Sequence, residues 1–280
     1  MNRIVFKEEI APNTFRYKVH HPQIAKKRQA GQFVILRIHE GGERIPLTIV
    51  DSDPEAGTIT LIFQAVGHST RELAELEVDE SILDLAGPLG KPTHIENYGT
   101  ACVLGGGYGT APVLPIAAAL RDAGNRLIGI VGARSRELVI LEEELRALCD
   151  RLEVATDDGS YGHQGFVTDV LQSLLEEGVK IDFVLAVGPA PMMRAVSELT
   201  RGYGIKTMVS LNPIMVDGTG MCGGCRVEVG GETKFACVDG PEFDGHLVNF
   251  DLLMKRQATY RDEEQAAAER ESHCKLDSAM

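Results

Sequence analysis

The stretch Ala101-Cys-Val-Leu-Gly-Gly-Gly-Tyr-Gly-Thr-Ala-Pro112 decides how the chain is read. An apolar run too short for a helix enters a glycine-rich loop, and proline follows where the first turn of a helix tolerates it. Strand, glycine loop and helix in that order form the unit from which parallel sheets are built. The pattern then repeats. Strand-like runs at 127–131, 152–155, 183–187 and 206–211 alternate with helical stretches at 112–122, 137–149, 166–176 and 192–200. Five βα repeats with almost no hairpin signal predict a doubly wound parallel sheet over 99–211.

Upstream, residues 1–98 follow another period. Phe15-Arg-Tyr-Lys-Val-His, Gln32-Phe-Val-Ile-Leu-Arg-Ile and Thr58-Ile-Thr-Leu-Ile-Phe-Gln are rich in β-branched and aromatic residues, and turn signals at Asp53-Pro54 and Gly57 punctuate the segment. Short, regularly spaced strands predict an antiparallel β-barrel, with one short helix starting at Ser69-Thr70. The fold class expected is therefore multidomain, β plus α/β. Downstream, 212–250 is a compact glycine- and cysteine-rich module, and 251–280 is a charged tail, helical to about Arg270, suited to docking.

The composition fits two or three ordinary globular domains. Of 280 residues 44% are hydrophobic and 30 are glycine, which implies full-sized cores and many tight turns. A net charge of −13 argues against nucleic acid or an anionic membrane as partner. The N-terminal residues alternate charged and apolar side chains without a signal-like core, and no apolar run reaches the length of a membrane span. Three of six cysteines lie in one run, while Cys102, Cys149 and Cys274 are scattered, with Cys102 expected in the core. That usage suits a reducing cytoplasm better than a disulfide framework.

That cysteine run is Asp217-Gly-Thr-Gly-Met-Cys222-Gly-Gly-Cys225, with Cys237 after a short hairpin. The spacing Asp-x4-Cys-x2-Cys-x11-Cys matches the plant-type [2Fe–2S] pattern with a carboxylate in the first position. Asp217, Cys222, Cys225 and Cys237 are thus the candidate metal ligands. A zinc knuckle is the rival metal reading, and a disulfide the plain one.

In the barrel, Arg44, Pro46, Leu47 and Thr48 place a cation and a hydroxyl on one strand, suited to the phosphate and the ring edge of a flavin. Gly67, His68, Ser69 and Thr70 open a helix whose first N–H groups and positive dipole end suit a pyrophosphate. Taken alone, these are an edge strand with a surface arginine and a simple helix cap.

In the α/β segment, the ends of successive strands carry the candidate dinucleotide site. Gly106, Gly107, Gly109 and Thr110 follow the first strand, Ala133 and Arg134 the second, Asp157 and Asp158 the third, and Gly188, Pro189 and Met192 the fourth. Arg134 and Arg136 leave NAD and NADP open, and equally suit a solvated turn. No nucleophile–base pair stands out, and His68 and His163 read as surface or capping residues. A flavin carries its own chemistry, so no acid–base dyad is expected.

Taken in order, these motifs resemble the ferredoxin–NADP reductase superfamily. The cluster module narrows the likeness to the dihydroorotate dehydrogenase electron-transfer subunits and their relatives. Within these the chain looks most like the small subunits of electron-bifurcating, NADH-dependent reduced ferredoxin:NADP oxidoreductases, also called sulfide dehydrogenase subunits. The matching stretches are Glu43-Arg-Ile-Pro-Leu-Thr-Ile, Val66-Gly-His-Ser-Thr-Arg-Glu-Leu, Thr156-Asp-Asp-Gly-Ser, Asn212-Pro-Ile-Met, Val216-Asp-Gly-Thr-Gly-Met-Cys-Gly-Gly-Cys and Cys237-Val-Asp-Gly-Pro. Asp217 departs from the dihydroorotate group, which has cysteine there, and agrees with the transhydrogenase group. A second departure is in the flavin strand. The superfamily has Arg-x-Tyr-Ser, whereas Arg44 lies four residues before Thr48 and Pro46 stands for the tyrosine.

The resemblance implies FAD in the barrel, NAD(H) on the α/β domain and single-electron relay through a [2Fe–2S] cluster. The implied partner is a larger flavin and [4Fe–4S] subunit that binds NADP(H), with ferredoxin reached indirectly through it. Two further readings are a stand-alone flavin and iron–sulfur NAD(P)H reductase and a dihydroorotate dehydrogenase-type electron-transfer subunit. A zinc-stabilised nucleotide-binding regulator is the reading from another class.

Overall fold

The computed structural model describes residues 2–260 and 262–264. The N-terminal part is an antiparallel sheet of β1 (Arg3–Ala11), β2 (Thr14–His20), β3 (Phe33–Arg37), β4 (Ile45–Asp53), β5 (Thr58–Gln64) and β6 (Asp84–Leu89), in the order β1-β2-β5-β4-β3-β6. Ile4 N donates to Glu80 O at 2.8 Å and Asp79 N to Ile4 O at 2.8 Å, which draws the two ends of the sheet towards closure. Tyr17, Ile49, Leu61 and Phe63 fill its interior. The short helix α1 (Pro22–Lys27) contributes Ile24 to that core, and α2 (His68–Glu75) contributes Leu73.

The second part is the doubly wound sheet. Strands β7 (Thr100–Gly106), β8 (Arg126–Ala133), β9 (Arg151–Thr156), β10 (His163–Gln164), β11 (Phe183–Val187) and β12 (Lys206–Ser210) run parallel in the order β10-β9-β8-β7-β11-β12. The switch in direction of winding falls between β7 and β11. Helices α3 (Thr110–Asp122), α4 (Glu142–Leu148), α5 (Val167–Glu176) and α6 (Ala190–Tyr203) cover the faces. Cys102 is fully buried in β7, as expected of a core thiol.

The helix expected over 137–149 is shorter than its pattern suggests. A single 3-10 turn spans Arg136–Leu138, and α4 starts only at Glu142 after Leu141 adopts φ 58°. The reason is packing: Ile140 and Leu141 turn into a cluster with Val50 and Ile62 of the barrel and Ala111 of α3. Burying two large apolar side chains across the interface outweighs the local helical preference.

The cysteine-rich part holds a hairpin, β13 (Arg226–Val229) with β14 (Glu232–Phe235), a single turn α7 (Ala236–Asp239) and β15 (Glu242–Asp244). One correction to the all-parallel expectation arises here. β15 adds to the edge of the doubly wound sheet as an antiparallel neighbour of β12, so this module is stitched into the sheet. The start of the expected charged tail is also different in kind. Helix α8 (Phe250–Gln257) buries Phe250 and Leu253 in the same core as Cys225 and Cys237. The expected continuation to Arg270, and Cys274, lie outside the described residues. Among those described, no helix is long and apolar enough to cross a membrane.

Candidate functional site

A cavity of about 870 Å³ opens where the barrel, the glycine loop and the cysteine-rich module meet. Strand register explains the barrel side. Phe33 pairs with Thr48 and Thr14 with Gln64, and all four line the cavity with Pro46. From the α/β part come Gly106, Gly107, Gly109, Ala133, Arg134, Asp157, Gly188 and Pro189 at the carboxyl ends of strands, and Met192 from the first turn of α6. Asn212, Met215 and Pro241 close the wall from the third part.

The glycines are there to leave room. A Cβ on Gly106 would lie 2.3 Å from Met192 Sδ, and one on Gly105 2.6 Å from Thr110 Cα. Backbone at the head of α3 can therefore approach a ligand closely, at the positive end of the helix. Thr110 itself is fully buried beneath this loop and does not line the cavity. Its Oγ1 is the buried side-chain polar atom without a partner among the described residues. The cradle fits a pyrophosphate.

At the far end of the α/β wall the two aspartates divide. Asp158 accepts from Ser160 N at 2.9 Å and Ser160 Oγ at 2.6 Å, and the Ser160 hydroxyl holds its carboxyl below the usual range. It is committed to a turn. Asp157 lines the cavity beside Arg134. Arg136 is drawn away, with its guanidinium 5.3 Å from the centre of the Tyr161 ring.

The remaining flavin candidates lie off the cavity wall. Leu47 is in the barrel core, Arg44 is exposed, and Ser69 Oγ donates to Glu43 Oε2 at 2.7 Å. Thr70 Oγ1 accepts from Gly67 N at 3.0 Å, and His68 pairs with Glu72 at 3.5 Å. The Glu43–Ser69 bond nonetheless brings Arg44 and the head of α2 to one lip of the barrel. That lip lies roughly 13 Å along the strand from Thr48, at about 3.3 Å per residue over four residues.

In the cysteine-rich loop the donors form two pairs. Asp217 accepts from the backbone N–H of Thr219 at 3.0 Å, Met221 at 3.1 Å and Cys222 at 2.8 Å, and these donors, Thr219 foremost, hold its carboxyl below the usual range. The Cys222 side chain also donates to it. Cys225 and Cys237 form the second pair: both are buried free thiols, and Cys225 Sγ donates to Cys237 Sγ at 3.1 Å. Burial first, and the Cys225 thiol next, push the Cys237 thiol up to about 12. Among the described residues no three such side chains converge on one point. Two pairs of donors suit a binuclear cluster, in which each iron takes two protein ligands, better than one tetrahedral zinc.

Motif reading missed several wall residues. Phe33, Thr14 and Gln64 carry no signal beyond strand alternation. Tyr108 had one: it is the aromatic in the glycine loop, and its hydroxyl reaches the Thr48 backbone across the cavity.

Residues 212–249 match the iron–sulfur cluster binding domain of dihydroorotate dehydrogenase B. The chain is 48% identical over 270 residues to a dihydroorotate dehydrogenase B (NAD(+)) electron transfer subunit homolog of Thermotoga maritima, covering 96% of this chain and 95% of that one. It is 32% identical to the electron transfer subunit of Geobacillus thermodenitrificans, covering 86% and 94%. Among solved structures, a chain of the NADH-dependent reduced ferredoxin–NADP oxidoreductase, determined in work on flavin-based electron bifurcation, superposes with a TM-score of 0.92. Identity is 47%, over 96% of this chain and 97% of that one. Phthalate dioxygenase reductase shares the fold alone, at 15% identity and a TM-score of 0.59 over 81% and 85%. The chain belongs to the family of dihydroorotate dehydrogenase B electron-transfer subunits and their homologues, oxidoreductase subunits built on the ferredoxin-reductase fold.

Proposed function

We propose that this chain binds FAD along β4, NAD(H) across the strand ends of the α/β sheet, and a [2Fe–2S] cluster on Asp217, Cys222, Cys225 and Cys237. Bound together, these groups would supply two-electron exchange with nicotinamide and one-electron transfer onward. The carrying observation is the shared wall. Phe33 lines the cavity, while Ile35, two residues along β3, packs where a Cβ on Gly218 would lie 2.8 Å from it. One strand thus spans from the nucleotide cavity to the cluster loop.

The residues divide the work. Thr48 faces the flavin ring, with Arg44 and the head of α2 towards its phosphates. The Gly106–Gly109 backbone receives the nicotinamide pyrophosphate. Asp157 accepts from ribose hydroxyls and repels an added phosphate, which supports NAD(H) over NADP(H). The pairing of donors and the covered, apolar setting of Cys225 and Cys237 support the cluster.

The acceptor is a larger flavin and [4Fe–4S] subunit that binds NADP(H), with ferredoxin reached through it, in the cytoplasm. Ile214, Val216, Met221 and Val238 are exposed around the cluster loop, Met221 by 88%. An apolar rim of this kind is what an electron-transfer partner covers.

Anaerobic purification of the native complex tests the reading. The expected result is a second subunit in fixed stoichiometry, FAD, and a [2Fe–2S] EPR signal that NADH elicits. A colourless zinc protein without flavin would sink it.

A further inference from the structure

The carbonyls of the two glycines between the candidate ligands Cys222 and Cys225 are each held by an arginine. Arg226 Nη1 donates to Gly223 O at 2.8 Å, and Arg256 Nη2 donates to Gly224 O at 3.1 Å. The two come from different elements, Arg226 from the first residue of β13 and Arg256 from the last turn of α8. Arg256 is itself well anchored. Asn249 caps α8 through Leu252 N and donates to Glu228 Oε1 at 2.9 Å, and Gln257 Nε2 donates to Asn212 O at 3.1 Å.

A trans peptide is planar, with its C=O and the following N–H opposed. Drawing the Gly223 and Gly224 carbonyls out towards guanidinium groups therefore turns the N–H groups of Gly224 and Cys225 the other way, into the ligand loop. The first result is visible: Gly224 N donates to Cys222 Sγ at 3.4 Å. The two cations also stand one peptide group away from a site that carries the negative charge of its ligands.

Resting on the cluster assignment above, we infer that Arg226 and Arg256 are positioning residues that raise the reduction potential of the bound cluster. They do so by aiming loop N–H groups at ligand sulfur and by placing positive charge beside it. Both actions favour the reduced, more negative form, because N–H donors and nearby cations stabilise added negative charge. The pair offsets the electron-rich ligand set at no cost in ligand identity. Arg256 carries the larger share, being half-buried where Arg226 is exposed.

Redox titration followed by EPR, on the purified complex, tests this through the cluster itself and not through turnover. Arg256→Met is expected to lower the potential. At a fixed ambient potential the oxidised-to-reduced ratio rises at least threefold, a tenfold change corresponding to about 59 mV for one electron. Arg226→Met moves the ratio in the same direction by less. Arg256→Lys, which keeps the charge, recovers at least half of the Arg256→Met shift. Lys255→Met, an exposed cation on the same helix, leaves the curve in place. The inference is overturned if Arg256→Met and Arg226→Met both titrate as wild type. If Arg256→Met does not retain iron, Arg226→Met decides alone, and a wild-type curve there overturns it. A wild-type complex with no [2Fe–2S] signal refutes instead the cluster assignment beneath it.

Discussion

Gly109 and Gly223 sit in the two glycine-rich loops of the molecule and answer to different constraints. Gly109 has ordinary helical backbone, φ −57°, and no space: a Cβ there would lie 2.3 Å from Val187 O and 2.6 Å from Val187 C. Gly223 has φ +67° and ample space, its nearest neighbour to a Cβ being Phe235 Cε1 at 3.6 Å. In the nucleotide loop Gly109 lets two strand ends touch, while Gly107 is left-handed, at φ +55°, with open space around it. The cluster loop uses glycine to wind left-handed around its ligands. The same composition thus serves a flat cradle for an extended ligand and a tight coil for a compact one.

Alanine separates the two cases. At Gly109 the obstacle is backbone on a neighbouring strand, which cannot rotate away. Gly109→Ala should destabilise by about 1–3 kcal/mol, as overpacking does, and displace the loop. The expected outcome is at least a tenfold weaker response of flavin reduction to NADH, with the cluster EPR signal intact. Unchanged NADH titration would break the contrast, since it would mean that the strand ends part freely. At Gly223 the penalty is only that of a left-handed alanine, about 1–2 kcal/mol, and it is local. Gly223→Ala should lower iron retention on dialysis against chelator and leave NADH binding as it was. A protein of wild-type iron stability would show that the left-handed turn does not limit cluster binding.

Sequence showed much of this, and the residues say why some escaped. The strand–loop–helix at 101–112 was legible because its period changes abruptly, and the cysteine-rich module because its Asp-x4-Cys-x2-Cys-x11-Cys spacing follows a cluster pattern. The order of barrel, doubly wound sheet and cluster module followed from those two. What escaped depended on contacts between distant segments. Ile140 and Leu141 carry a helical pattern, and only the barrel surface facing them breaks it. β15 has three residues and no strand signal beyond Phe243, so its place on the sheet edge comes from β12 alone. Phe33 and Gln64 enter the cavity wall through register, which a single strand does not encode. Thr110 and Asp158 belong to the motifs that suggested a nucleotide site, yet one is buried beneath the loop and the other tied to Ser160.

The seam between the barrel and the doubly wound sheet offers a pH-dependent effect with a sharp sign. Glu242, at the start of β15, sits beneath Thr93 of the segment leading out of the barrel, whose Oγ1 donates to Glu242 Oε1 at 2.6 Å. Tyr98 is the neighbouring titratable group, and burial pushes the Glu242 carboxyl up to about 7. A raised carboxyl stabilises the fold while it holds its proton. That contribution is complete below the ordinary value of 4.5, falls as pH rises, and is lost above about 7. Glu242→Gln keeps an acceptor for Thr93 and never ionises. Its thermal midpoint should match wild type at pH 5 and exceed it at pH 8.5, with most of the difference appearing between pH 5 and 7. An equal difference at both pH values would mean that Glu242 is solvated at the seam, and that β15 joins the sheet without desolvating a charge.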